Sequence, residues 1–171
     1  MKPLRTALII LITTAAMLAV RQWVAVPIYI ASDSMYPTLS KGQRLVVDRL
    51  TYRFREPRRG EVVSFKSTVG EEHESVKRVI AVGGDTVELR EKAVYLNGEH
   101  LYESYAHYER PDELLAGDDL GPVKVPAGTL FLLGDNRDRS SDSATWKDPA
   151  TGKPPLFLPL SDVTGKVRGA Y

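Results

Sequence analysis

The 171-residue sequence contains no cysteine. Disulfide bonds, thiolate nucleophiles and cysteine-ligated zinc sites are therefore excluded. Positive charge is not in surplus either, because 23 Lys and Arg residues face 22 Asp and Glu residues. A balanced surface has no field with which to gather a polyanion, so no nucleic-acid partner is expected. A nucleophile, if the chain has one, must be a hydroxyl, a carboxylate or an amine.

Histidine is scarce. The three histidines, His73, His100 and His107, all lie among charged and polar residues, which indicates solvated surface side chains. A Ser-His-Asp triad therefore has no obvious base. One pair spaced by seven residues is weak evidence for a metal site, so we expect no metal. We also expect no cofactor, since a hydroxyl and an amine suffice for nucleophilic catalysis.

The long apolar run is confined to the N-terminus. Residues 7–20 carry no charge and would rise about 21 Å as a helix, a length that suits a signal peptide. Residues 4–26 would span about 34 Å if Arg5 and Arg21 extend to the two membrane interfaces, enough for a hydrocarbon core of about 30 Å. No small-x-small cleavage site stands out near residues 18–22.

We therefore favour an uncleaved transmembrane anchor over residues 7–26. The basic residues before it keep residues 1–6 in the cytoplasm, so residues 27–171 lie outside. An alternative is that residues 23–31 form an interfacial plug.

After the anchor the apolar pattern changes from helical to alternating. Short Val- and Leu-rich segments bounded by Gly or Pro predict strands at 44–50, 60–66, 75–82, 86–90, 93–98 and 128–135. Asn97-Gly98 predicts a type I′ hairpin. Residues 102–121 are polar and turn-rich and indicate an exposed excursion from the sheet. The fold class is mostly β.

Two polar segments and one lysine carry candidate chemistry. The stretch SDSMYPTLSKG, residues 32–42, holds three serines. Lys77 lies in the apolar strand SVKRVIAV, where alternation places it on one face with Val79 and Ala81 and turns Arg78 the other way. A buried lysine favours its neutral form and can take a proton from a hydroxyl, although a strand lysine is more often at an edge or on the surface.

The second polar segment is GDNRDRSSDS, residues 134–143, which follows an apolar strand. Taken as a general pattern it indicates a charged turn. The same density of hydrogen-bonding side chains is also what holds a catalytic residue in place.

Together these pieces resemble a bacterial type I signal peptidase (signal peptidase I, peptidase S26 family). The likeness is collinear from about Arg21 to the C-terminus, through RQWVAVPIYIASDSMYPTL, KGQRLVVDRLTY, RRGEVVSF, KRVIAVGGD and GDNRDRSSDS. It implies a β-rich Ser-Lys protease domain with a short hairpin insertion at about 85–127, tethered to the inner (plasma) membrane with the catalytic domain on the periplasmic side.

The resemblance also implies roles for individual residues. Ser34 corresponds to the nucleophile and Lys77 to its general base. The Ser32 hydroxyl and the Ser34 backbone N–H correspond to the oxyanion hole. The supporting residues are Ser140, which is expected to bond the lysine amine, with Asp135, Arg78 and Asp142. The candidates to line the substrate pockets are Ile28, Ile30, Met35, Leu39 and Val76.

Two departures from the family pattern bear on the site. Asp33 stands beside the nucleophile where relatives have glycine. Its negative charge is expected to raise the pKa of Lys77 and so shift activity to higher pH, unless the side chain points to solvent. Ala144 stands where many relatives have arginine, which leaves Asp142 with Arg78 as its available partner.

By resemblance, the enzyme removes signal peptides from secreted preproteins after Ala-x-Ala sites, acts at membrane lipid and is a monomer. Three alternatives stay open. A conjugative-transfer or pilin-processing peptidase would share the same residues, a self-cleaving repressor would share the core without an anchor, and an inactive membrane-tethered domain would only bind exported chains.

Overall fold

The structure is a computed structural model that describes residues 2–66, 74–147, 152 and 155–170. One α-helix, α1 (Lys2–Trp23), precedes a β-rich body. The strands in the described part are β1 Ala25–Tyr29, β2 Arg44–Asp48, β3 Val62–Lys66, β4 Glu74–Val82, β5 Thr86–Arg90, β6 Ala93–Leu96, β7 Glu99–His100, β8 Leu120–Lys124, β9 Thr129–Leu133, β10 Leu158–Pro159 and β11 Val163–Ala170.

Helix α1 is exposed over most of its length. Every side chain from residue 3 to residue 18 is exposed, including apolar ones such as Leu4 and Met17. Measured by length and hydropathy, none of the helices among the described residues qualifies to cross a membrane. The helix ends at Trp23, and residues 25 and 26, which the sequence assigned to the anchor, lie in β1.

The larger sheet has seven strands in the order β1-β2-β11-β3-β4-β9-β10. All its pairs are antiparallel, and β4 lies in its interior between β3 and β9. Lys77 on β4 is in register with Val63 on β3. Strand β4 is therefore hydrogen-bonded on both sides, which removes it from the sheet edge.

An irregularity in the pairing of β4 with β9 falls between Val79 and Ala81. Strict alternation would put these two residues on one face. They instead belong to different apolar clusters, Val79 with Leu132 and Ala81 with Leu133. The predicted common face of Lys77, Val79 and Ala81 is therefore wrong beyond Val79, because the bulge shifts the alternation by one residue.

The smaller sheet has four strands in the order β7-β6-β5-β8. Leu96 pairs with Glu99 across a two-residue turn in which Asn97 and Gly98 both have positive φ, 54° and 86°. This confirms the predicted type I′ hairpin. An apolar cluster containing Ile80 and Val87 joins the two sheets into one core.

The six predicted strand segments are each present with ends shifted by at most two residues. The strands that the sequence analysis missed include β8 and β11, and both contain glycine. In β11 the glycine is required by packing, because a Cβ at Gly165 would meet the Val47 side chain and the Asp48 carbonyl oxygen. Strand β11 therefore lies in the interior of the larger sheet although its two glycines are more typical of a loop.

Replacing Gly165 by alanine is expected to destabilise the fold by about 1 to 3 kcal/mol, because the backbone of β2 cannot move away from the added methyl group. Thermal unfolding in detergent, followed by circular dichroism, measures the change. Gly121→Ala is the matched control, since Gly121 has no neighbour within 4 Å of its Cβ position. Equal unfolding temperatures for the two variants would contradict this packing argument.

Glu61 joins the segment before β3 to β11. Its carboxylate accepts hydrogen bonds from Arg55 at 2.6 Å, Lys166 at 2.6 Å and the Tyr52 hydroxyl at 3.1 Å. Burial alone would raise the pKa of Glu61, but the bonds from Arg55 and Lys166 outweigh it and lower the pKa to about 2. The ionised form therefore stabilises the folded state.

The Glu61 contribution is fully present above its ordinary pKa of 4.5 and is lost as the pH falls through about 2. Glu61→Gln should lower the free energy of unfolding at neutral pH by about 1 to 3 kcal/mol. The difference from wild type should shrink steadily below pH 4.5. The control is Glu56→Gln, at an exposed carboxylate. A Glu61→Gln effect that does not vary with pH would mean that the charge contributes nothing.

Candidate active site

Ser34 lies in the connection between β1 and β2. The Tyr36 N–H donates to the Asp33 carbonyl at 3.1 Å, and the Leu39 N–H donates to the Met35 carbonyl at 2.8 Å, so the backbone turns tightly on both sides of the serine. Ser34 is 6% exposed and Met35 is 1% exposed. The buried methionine anchors the turn and holds the serine hydroxyl inward.

Lys77 reaches this hydroxyl from the interior of the sheet. Its Nζ donates to Ser34 Oγ at 2.9 Å and to the Val76 carbonyl at 3.2 Å. The lysine is only 5% exposed, and its strand is flanked on both sides. Lys77 is therefore a buried lysine on an interior strand, although most lysines in strands lie at an edge or on the surface.

Ser32 lies at the solvent side of the same pair. Its Oγ is 3.2 Å from Ser34 Oγ, and its side chain is exposed. The structure thus brings together the two serines and the lysine that the sequence selected. Ser40, the third serine of the stretch, is bonded through its backbone to Gln43: its N–H donates to Gln43 Oε1 at 2.8 Å and its carbonyl accepts from the Gln43 N–H at 3.2 Å.

The segment of residues 134–143 packs directly against the serine turn. The Asn136 N–H donates to the Ser34 carbonyl at 3.1 Å. Gly134 fits there because a Cβ would collide with Ser140 and with the Ser34 carbonyl oxygen. Since Asp135 and Asn136 are fully buried, this segment forms a wall of the site and is not a solvated turn.

Arg78 and Asp135 form the main ion pair of the site. Arg78 Nε donates to Asp135 Oδ1 at 2.8 Å and Nη2 donates to Oδ2 at 2.5 Å. Thr38 Oγ1 donates to the same carboxylate. Strand β4, the serine turn and the 134–143 segment therefore meet at one bidentate pair, whose aspartate is wholly buried.

Asp142 takes its partners from the backbone. The N–H groups of Gly134 and Ala144 donate to its two oxygens at 3.0 and 3.2 Å. Burial raises the pKa of the Asp142 carboxyl, while the Gly134 N–H, the Ser140 hydroxyl and the charge of Lys77 act in the opposite direction. The expected partner Arg78 is directed to Asp135 instead, which corrects the sequence-based assignment.

Ser140 differs from its expected role. The serine is close enough to Asp142 to lower the pKa of that carboxyl, but its Oγ is buried and makes no regular hydrogen bond to any described residue. The expected bond to the Lys77 amine is therefore not formed with this geometry. The Ser140 hydroxyl instead packs against Gly134, on the same side as the Ser34 carbonyl oxygen.

The five candidate pocket residues are gathered in one apolar cluster together with Leu45. Its members are close to the site because Met35 follows Ser34 and Val76 precedes Lys77. All but the half-buried Ile28 are less than 8% exposed: Ile30, Met35, Leu39 and Val76. Asp33, in contrast, is exposed to solvent, which is the condition under which no effect on the site was expected.

The excursion of residues 102–121 was predicted to be exposed, and part of that prediction is wrong. Tyr105, His107 and Tyr108 are half-buried and pack on the 134–143 segment. His100 is exposed as predicted, and His73 lies outside the described residues. The missed signal is the aromatic spacing in YESYAHYE, which is unusual for a solvated loop.

Comparisons with known proteins agree on one family. A family model described as signal peptidase, peptidase S26, matches residues 4–171. A probable signal peptidase I-1 of Synechocystis sp. is 36% identical over 166 residues, which cover 92% of this chain and 76% of that protein. Signal peptidase I of Bacillus amyloliquefaciens is 37% identical over 138 residues, which cover 78% and 71%.

A crystal structure of a signal peptidase I from Enterococcus faecalis V583 aligns with a TM-score of 0.49 and 29% identity, over 67% of this chain and 98% of that chain. The family match and the sequence relatives define the class as a peptidase. The chain belongs to the signal peptidase family, peptidase S26, and is a serine endopeptidase of the signal peptidase I type.

Because Asp135 is the buried partner of Arg78, Asp135→Asn should lower the free energy of unfolding by about 3 kcal/mol, the usual effect of leaving a buried charge uncompensated. Thermal unfolding in detergent measures it. Asp112→Asn, at an exposed aspartate, is the matched control and should leave stability unchanged. If the two variants unfold at the same temperature, the Arg78–Asp135 ion pair does not stabilise the fold.

Proposed function

We propose that this enzyme removes signal peptides from exported preproteins, with Ser34 as nucleophile and Lys77 as general base. The observation that carries the proposal is the 2.9 Å contact from Lys77 Nζ to Ser34 Oγ in a site where both residues are at most 6% exposed. Burial of an amine disfavours its charged form, and only the neutral form accepts a proton. Family membership supports the same assignment.

The chemistry follows from this geometry. Ser34 Oγ attacks the carbonyl carbon of the scissile peptide while its proton passes to Lys77 Nζ. The Ser34 N–H and the Ser32 hydroxyl donate to the tetrahedral oxyanion. Lys77 then protonates the leaving amine, and a water deprotonated by the same lysine hydrolyses the acyl ester.

Specificity for Ala-x-Ala is assigned to the apolar cluster around Met35 and Val76. A shallow apolar surface formed by these side chains would accept a small residue and exclude a larger one. Strand β1 ends the order of the larger sheet, so an extended substrate can add to it through main-chain hydrogen bonds. The cluster residue Ile28 belongs to that strand.

Membrane attachment is assigned to α1. Its apolar side chains between residues 3 and 18 are exposed, and residues 4–23 would extend about 30 Å as a helix. In this arrangement Lys2 and Arg5 stay in the cytoplasm and the β-rich body lies on the outer side of the plasma membrane. A monomer at the lipid surface then meets the preprotein where its signal peptide leaves the bilayer.

The test is cleavage of a purified preprotein by the detergent-solubilised enzyme, with N-terminal sequencing of the product, at roughly pH 7 to 10. Ser34→Ala and Lys77→Met should each lower kcat by at least about 1000-fold, because each removes half of the reacting pair. Ser32→Ala should lower kcat by about 100-fold or more through loss of one oxyanion donor.

Ser40→Ala and Lys41→Ala are the matched controls, since they change the same residue types outside the buried pair. Both should cleave at wild-type rates. Cleavage that survives Ser34→Ala would overturn the nucleophile. A wild-type enzyme that leaves general preproteins intact but cuts a pilin or conjugative substrate would replace the proposed substrate class with a dedicated one.

A further inference from the structure

Residues 103–109 of the excursion, most of them half-buried, lie across the active-site wall, and we name this segment the strap. Its backbone pairs with that wall on both sides of His107. The His107 N–H donates to the Asp135 carbonyl at 2.7 Å, and the Arg137 N–H donates to the His107 carbonyl at 3.0 Å. The same wall holds the Ser34 carbonyl through Asn136, so the strap is one layer away from the nucleophile.

Tyr105 is the residue of the strap that reaches the main ion pair. Its ring covers Arg78, with the guanidinium carbon 3.9 Å from the ring centroid. Arg78 is the bidentate partner of Asp135 and follows Lys77 directly in β4. The aromatic face therefore shields the junction that sets the position of β4 relative to the serine turn.

The Tyr105 hydroxyl ties a second arginine to the same ring. It donates to Glu103 Oε1 at 2.7 Å, and Arg137 Nη2 donates to that same oxygen at 2.6 Å. Both members of the Glu103–Arg137 pair are 5% exposed. Burial and the Glu103 carboxylate raise the pKa of Tyr105, so its hydroxyl stays a donor at working pH.

The strap also contacts the serine turn directly. The rings of His107 and Tyr36 meet edge to face with centroids 5.1 Å apart. Glu109 accepts from Asn136 Nδ2 at 3.1 Å, on the residue whose N–H holds Ser34. Strand β4 and the 134–143 segment, which are far apart in the chain, thus both contact Tyr105 or its partner Glu103.

We propose that Tyr105 is a positioning residue for catalysis, which holds Arg78 and Asp135 so that Lys77 stays within hydrogen-bonding distance of Ser34. The inference rests on the proposed Ser34–Lys77 mechanism. It makes the small second sheet, from which the strap departs, a support of the active site. Tyr105 itself touches neither reacting atom.

Tyr105→Leu should lower kcat about tenfold and change KM by less than about twofold, since alignment of the pair is disturbed while the pocket residues stay in place. Tyr105→Phe keeps the aromatic face over Arg78 and should retain kcat within about threefold of wild type. Tyr102→Leu is the matched control, at a tyrosine that is 86% exposed in the same segment. It should behave as wild type.

Kinetics are measured on folded protein, below the unfolding temperature of each variant. If Tyr105→Leu does not fold, Tyr105→Met, which fills the space without an aromatic face, takes its place. Wild-type kcat in the Leu or Met variant overturns the inference, and so does a Phe variant as slow as the Leu variant. Either result leaves the dyad intact, because the Ser34→Ala and Lys77→Met variants test the dyad separately.

Discussion

The arrangement of this molecule depends on an amine held inside an apolar sheet within reach of a serine hydroxyl. Lys77 is 5% exposed on an interior strand. The serine turn and the 134–143 segment are arranged around this buried amine. Water must be excluded around the amine, so the serine turn and the 134–143 segment close over it. Their backbones must also meet, and the bond from the Asn136 N–H to the Ser34 carbonyl joins them.

The electrostatics of the site follow from the same burial. A cation beside an apolar core is stable only with a fixed partner, and Arg78 finds one in Asp135, which is wholly buried. Asp142 lies near the lysine with backbone donors as its partners, and burial raises the pKa of its carboxyl. The two aspartates thus have different surroundings within one short segment. Asp135 is the partner of an arginine in an ion pair, whereas the pKa of Asp142 is influenced by the charge of Lys77.

Local patterns predicted most of the strands and the hairpin at Asn97-Gly98, because alternation and turn chemistry act over a few residues. The resemblance to a family selected Ser34 and Lys77, which the fold brings together. Sequence reasoning failed where distant segments decide the outcome. Strand β11 was missed because it contains Gly165, which close packing against β2 requires. The burial of Tyr105 was missed because it depends on contact with Arg78 in β4. Neither influence is visible within a local window.

The pairing of β4 with β3 has a chemical consequence. Lys77 lies opposite Val63 and Arg78 lies opposite Val62, so the two adjacent cations project to opposite faces. A slip of one residue would present the guanidinium to Ser34 in place of the amine. A guanidinium keeps its proton at any working pH and cannot act as a base. In the proposed mechanism such a chain would contain both Ser34 and Lys77 and still be inert, so the register of β3 with β4 is a condition of that mechanism.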